Sequence, residues 1–158
     1  MNHAHFMKLA VEAAFENVKQ ERGGPFGAVI VKDGAVVAVG TNEVTSANDP
    51  TAHAEVQAIR KACRALGDFQ LKDCILYTSC EPCPMCLGAI YWARPKEVYY
   101  CFTREEAADI GFDDAFIYDQ IPLPIEERAI PTNRLSLPLD EGQNPFTHWT
   151  EKQDKIEY

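Results

Sequence analysis

The sequence has no apolar run approaching the ~20 residues that a membrane-spanning helix needs. Its opening residues, Met1-Asn2-His3-Ala4-His5-Phe6, lack the basic stretch and apolar core of a secretory signal, so a cytoplasmic location is expected. Positive charge is scarce: Lys and Arg number 15 against 24 Asp and Glu, a net charge of −9. Binding a phosphate backbone rests on Lys and Arg releasing counterions, so no nucleic-acid partner is expected. A small neutral substrate suits the chain better. Internal repeats and low-complexity tracts are absent. So is any sign of an oxidising compartment. The six cysteines (63, 74, 80, 83, 86 and 101) therefore read as buried thiols and metal ligands rather than disulfides.

What remains is an ordinary globular chain. Its 158 residues suit a single domain. A chain of this size buries roughly 70% of the surface that its unfolded form exposes, enough for a real core.

Helical spacing of Phe6, Leu9, Ala10, Ala13, Ala14 and Val18 predicts a helix from about Asn2 to Gln20, ended by Gly23-Gly24-Pro25. Two apolar runs follow, Phe26 to Val31 and Ala35 to Val39. Asp33-Gly34 between them signals a hairpin. Gly40 to Asp49 reads as a polar loop. Thr51 is the expected N-cap of a helix reaching Leu66, with Gly67 as its stop. Asp73 to Ser79 reads as a third strand, Cys83 to Ala93 as a short helix and Lys96 to Phe102 as a fourth strand. Thr103 and Glu106 form a capping-box pattern for a helix to Ile110. Prolines crowd the stretch from Pro122 to Pro138, where Arg134 to Leu137 is a candidate strand. Asn144-Pro145 starts a last helix. Helices alternating with strands after one hairpin imply an α/β fold, a three-layer α/β/α sandwich. With Arg134 to Leu137 included, its mixed sheet has five strands.

Two short motifs carry chemistry. His53-Ala54-Glu55 is a His-x-Glu, and Pro82-Cys83-Pro84-Met85-Cys86 is a Pro-Cys-x-x-Cys. His53, Cys83 and Cys86 supply three zinc ligands, and a catalytic zinc keeps a fourth position open. Cys83 and Cys86 stand three apart at a helix start, so both thiolates face one way and the helix N-terminus favours their ionised form. Glu55 need not be a ligand. Beside the metal it would be placed to take a proton from a bound water; a Glu in a first helical turn can also stand there for the helix dipole alone. Two other metal readings stay open. Cys80-x-x-Cys83-x-x-Cys86 opens like an iron–sulfur run, though position 90, where a fourth Cys would stand, is Ile90. Cys80 with the three ligands would also make a closed structural Cys3His zinc.

His-x-Glu followed by Pro-Cys-x-x-Cys is a known signature of zinc deaminases acting on nucleobases, and the chain resembles the cytidine deaminase-like superfamily. The longer likeness is to the small bacterial guanine deaminases. It covers Gly23 to Val31, Asn48 to Glu55, Tyr77 to Pro95 and Gly111 to Asp114. That resemblance implies one catalytic zinc per subunit and hydrolysis of guanine to xanthine and ammonia. It implies Glu55 as proton shuttle and Asp114 as a second catalytic acid. It assigns substrate binding to Asn42, the Ala54 N–H, Phe26, Trp92 and the terminal Tyr158. It also implies a homodimer whose C-terminal segment, about residues 140–158, is exchanged between subunits.

Overall fold

A computed structural model describes all residues, Met1–Tyr158. The chain divides into two compact units, Met1–Ile117 and Tyr118–Tyr158.

The first unit is built on a sheet of four strands: β1 (Gly27–Lys32), β2 (Ala35–Thr41), β3 (Cys74–Cys80) and β4 (Glu97–Phe102). Their order is β2-β1-β3-β4. β1 runs antiparallel to β2 and β3, while β3 and β4 are parallel. At the hairpin, Asp33 and Gly34 both have positive φ, 51° and 76°, as the tight turn requires. β3 is buried along its whole length, which suits a strand covered on both faces.

The two-residue alternation of the strands sorts the core into two layers. Val29, Val31, Ile75 and Tyr77 pack with Phe6 and Ala10 of α1 (His3–Lys19). Ala28, Ile30, Cys74 and Leu76 face the other way, onto α3 (Ala54–Leu66) and α4 (Pro84–Ala93). This is the expected α/β/α layering. Gly40 lets α3 press directly on β2: a Cβ there would lie 2.2 Å from the Ala54 carbonyl oxygen.

The expected fifth strand does not form. Arg134 to Leu137 carries no strand, and Leu135 is 86% exposed. β-propensity is realised only against a partner, and Pro131 and Pro138 bracket the segment. Two further expectations are corrected. The predicted loop from Gly40 to Asp49 contains the rest of β2 and a single helical turn, α2 (Val44–Ala47). Thr51 is not the N-cap of α3; His53 is. Asp49 accepts hydrogen bonds from the Thr51 N–H at 2.8 Å and the Thr51 hydroxyl at 2.7 Å, which ties Thr51 into a turn. The helix therefore starts later.

After β4 come α5 (Arg104–Asp109), with the predicted Thr103–Glu106 capping box, and α6 (Ala115–Gln120). The second unit holds two single 3₁₀ turns, Ile125–Glu127 and Glu141–Gln143, and α7 (Pro145–Glu151). The Asn144 side chain caps α7 by accepting from Phe146 N–H and Thr147 N–H.

No helix is long and apolar enough to cross a membrane.

Candidate metal centre

Strand direction brings the motifs to one end of the sheet. β2 and β3 end where β1 begins, since Gly27 pairs with Thr41 and Ala28 with Thr78. Phe26 precedes β1, Asn42 follows β2 and the Pro-Cys-x-x-Cys follows β3. β4 runs parallel to β3, so Thr103 and the segment after it leave from the same end.

Here His53 Nδ1 lies 3.5 Å from Cys83 Sγ and 3.4 Å from Cys86 Sγ. A tetrahedral zinc with ordinary Zn–N and Zn–S bonds sets each N···S edge at about 3.5 Å. Both N···S edges therefore match a zinc site, and the three donor atoms all lie within 4.8 Å of one another. His53 and Cys83 are the N-cap residues of α3 and α4, both extended, so two helix N-termini meet at the cluster. Their partial positive charge favours thiolates. The Cys83 sulfur accepts from Cys86 N–H at 3.5 Å. A hydrogen bond from Cys86, with His53 adding to it, holds the Cys83 thiol below its ordinary value, and the bond to Cys83 together with burial pushes Cys86 up. The bond to Cys83 raises His53.

Cys80 is not part of this cluster. Its Sγ faces the Thr103 carbonyl at 3.7 Å, and burial pushes the thiol up to about 11. That geometry takes the fourth ligand from the closed Cys3His reading, and from the iron–sulfur reading, already without a cysteine at position 90, it takes a third.

Glu55 lies in the first turn of α3 and is 6% exposed. Burial raises its carboxyl above the usual range, while a hydrogen bond with Cys86 and the charge of His53 pull the other way. The carboxyl therefore lies buried beside Cys86. One residue earlier, the Ala54 N–H is a first-turn donor that the helix cannot satisfy, and the His53 side chain does not cap it.

Asn42 is 8% exposed. Its Oδ1 accepts from Val44 N–H at 3.2 Å and Gly24 N–H at 3.4 Å. Two donors on one oxygen fix the amide orientation and turn Nδ2 outward as a donor. The Asn42 N–H donates to the Phe26 carbonyl at 3.2 Å, so the two residues adjoin. Phe112 meets the Phe26 ring edge-on at 4.9 Å between centroids. Asp114, two residues on, is half-buried just before α6. Burial raises its carboxyl, and the Cys83 thiolate adds to this.

Trp92 and Tyr158 are placed differently. Trp92 is 62% exposed on α4, with the Arg94 guanidinium 6.0 Å from its ring centroid. Tyr158 is 74% exposed, at the end of the second unit. Sequence reasoning missed Asn17, Phe112 and Gly23, all of which support the Asn42–Phe26 junction. Asn17 had a signal: it falls on the buried stripe Phe6, Ala10, Ala14 at helical spacing.

Residues 1–102 match the family described as the cytidine and deoxycytidylate deaminase zinc-binding region. The guanine deaminase of Bacillus subtilis (strain 168) is 61% identical over 158 residues, the full length of both chains. Its X-ray structure superposes with a TM-score of 0.95, covering 100% of this chain and 99% of that one. A guanine deaminase structure from Nitrosomonas europaea is 32% identical at TM-score 0.66, covering 69% of this chain and 64% of that one. A tRNA-specific adenosine deaminase of Agrobacterium fabrum (strain C58) is 48% identical over 97 residues, 61% of this chain and 62% of the relative. By this match and by the ligand geometry that agrees with it, the chain belongs to the cytidine and deoxycytidylate deaminase zinc-binding family.

Proposed function

We propose that this enzyme is a zinc-dependent guanine deaminase, which hydrolyses guanine to xanthine and ammonia. The observation that carries the reading is the buried Glu55 carboxyl beside a three-ligand zinc set, in a chain 61% identical end to end to a guanine deaminase. The tRNA-acting relative matches over 97 residues. The full-length likeness therefore favours the free base.

The reaction replaces the amino group on C2 of guanine by oxygen from water. His53, Cys83 and Cys86 would hold the zinc, which would supply Lewis acidity toward that water. Glu55 takes one proton from the attacking water and gives it to a ring nitrogen; it then takes the second from the new C2 hydroxyl and gives it to the amine, which leaves as ammonia as the C2–N bond breaks and the C2 carbonyl forms. Asn42 Nδ2 donates to the base edge, and the Ala54 N–H donates beside it. Asp114 accepts from the N–H and amino groups of guanine and assists proton transfer. Phe26, backed by Phe112, walls the purine and helps exclude water.

Trp92 and Tyr158 enter through a second copy of the chain. In this reading the enzyme is a homodimer, and the segment from about residue 140 to 158 crosses to the partner, whose pocket Tyr158 closes. Exposed apolar side chains support such an interface. α4 presents Leu87, Tyr91 and Trp92, β4 presents Val98, Tyr100 and Phe102, and Phe146 is 82% exposed. β4 is also an open sheet edge, which proteins cover or pair. All six cysteines are free, which suits work in the reducing cytoplasm.

The test is ammonia release by the zinc-loaded protein offered guanine, guanosine, adenine and cytosine in parallel. Release from guanine, with xanthine formed, is expected. Release from guanosine and not guanine would move the pocket assignment to a nucleoside. Silence on all four would overturn the proposal and make tRNA the next substrate to try.

A further inference from the structure

Asn17 is 1% exposed and lies on the apolar face of α1. Its Nδ2 donates to two main-chain carbonyls, Gly24 and Asn42, each at 2.9 Å. Those two acceptors fix the amide orientation. Its Oδ1 then faces no donor at all. A buried oxygen without a partner works against stability. A leucine of similar size would avoid that cost, so the amide's contribution lies in what Nδ2 holds.

What it holds is both sides of one junction. Gly24 N–H reaches Asn42 Oδ1, the oxygen whose engagement turns Asn42 Nδ2 outward. Asn17 grips the Gly24 and Asn42 carbonyls from below. Gly23 completes the fit, since a Cβ there would lie 2.1 Å from the Asn42 carbonyl oxygen.

We propose that Asn17 is a positioning residue: through the Gly24 and Asn42 carbonyls it orients the Asn42 amide as a donor toward a purine acceptor, a ring nitrogen or an exocyclic oxygen. Asn17 touches no substrate itself. This rests on the guanine reading above for the identity of the base.

Asn17→Leu tests it. Guanine KM rises about tenfold, the scale of one substrate hydrogen bond, while kcat and zinc content hold. In Asn42→Ala the same substitution adds little further, because both act on one contact. Without substrate, the Asn42 side-chain amide resonance moves in Asn17→Leu. An unmoved resonance, an unchanged KM, or full additivity with Asn42→Ala overturns the proposal. If Asn17→Leu does not fold, Asn17→Ser, which keeps a shorter donor, carries the same expectation at smaller amplitude. A wild-type enzyme inert toward guanine would defeat the functional reading alone, since the amide resonance still decides the role of Asn17.

Discussion

A carboxyl that is only 6% exposed must be protonated or closely partnered, and Glu55 has the means for both. Burial favours its neutral form, while His53 and the Cys86 hydrogen bond favour the charged form. That balance suits a group that accepts and returns protons in one cycle. Glu55→Gln keeps the shape and the hydrogen bonding but removes the relay. We expect it to retain zinc and lose activity by about 10²- to 10⁴-fold, the usual worth of a positioned proton carrier. Metal analysis beside turnover checks this, and wild-type-like turnover would remove Glu55 from the mechanism. Tyr77 shows how far residue-scale physics extends from the site. It is fully buried, its hydroxyl lies 2.8 Å from His3 Nδ1, and burial raises the phenol above its usual value. A raised phenol contributes stability below its unfolded value of about 10 and loses it as pH climbs through the folded value. The stability difference between wild type and Tyr77→Phe should be flat below that pH and shift toward the variant above it. Denaturation midpoints across alkaline pH measure it, and a difference independent of pH would contradict the assignment.

At the scale of elements, the ligands are positioned by helix starts, and those starts depend on close backbone approach. Gly40 brings α3 onto β2 with no room for a side chain. Gly40→Ala should push the first turn of α3 away, costing about 1–3 kcal/mol as overpacking does and weakening zinc retention through His53. A competition titration with a chelator reads the second effect, and unchanged retention would show that α3 tolerates the shift. The same elements show what sequence makes legible. The Asp33-Gly34 hairpin, the Thr103–Glu106 capping box and the Cys83 helix start are written in adjacent residues, so local pattern found them. The true start of α3 was not, because Asp49 engages Thr51 in a turn before the helix begins. Arg134 to Leu137 has strand-like composition, but a strand needs a neighbouring edge that composition does not supply. Asn17 went unread although it sits on the buried stripe of α1. A polar side chain there gains its meaning from the carbonyls of Gly24 and Asn42, and Asn42 lies 25 residues away in sequence.

For the whole molecule, the metal ligands, Glu55, Phe26, Asn42 and Asp114 all belong to the first unit, while Tyr158 ends the second. The proposed exchange between subunits makes a complete pocket a property of the dimer. Removing Tyr158 should raise guanine KM several-fold and leave zinc content and fold unchanged. Removing residues 140–158 should also lower the molecular mass from dimer to monomer, which sedimentation resolves. Unchanged kinetics without Tyr158 would take the tail out of the pocket. The proposed hydrolysis at C2 of guanine is tested by turnover in water enriched in heavy oxygen. Mass spectrometry of the product should find xanthine carrying one heavy oxygen, with ammonia released in equal amount. Guanine left unchanged, or xanthine formed without the label, would contradict the account.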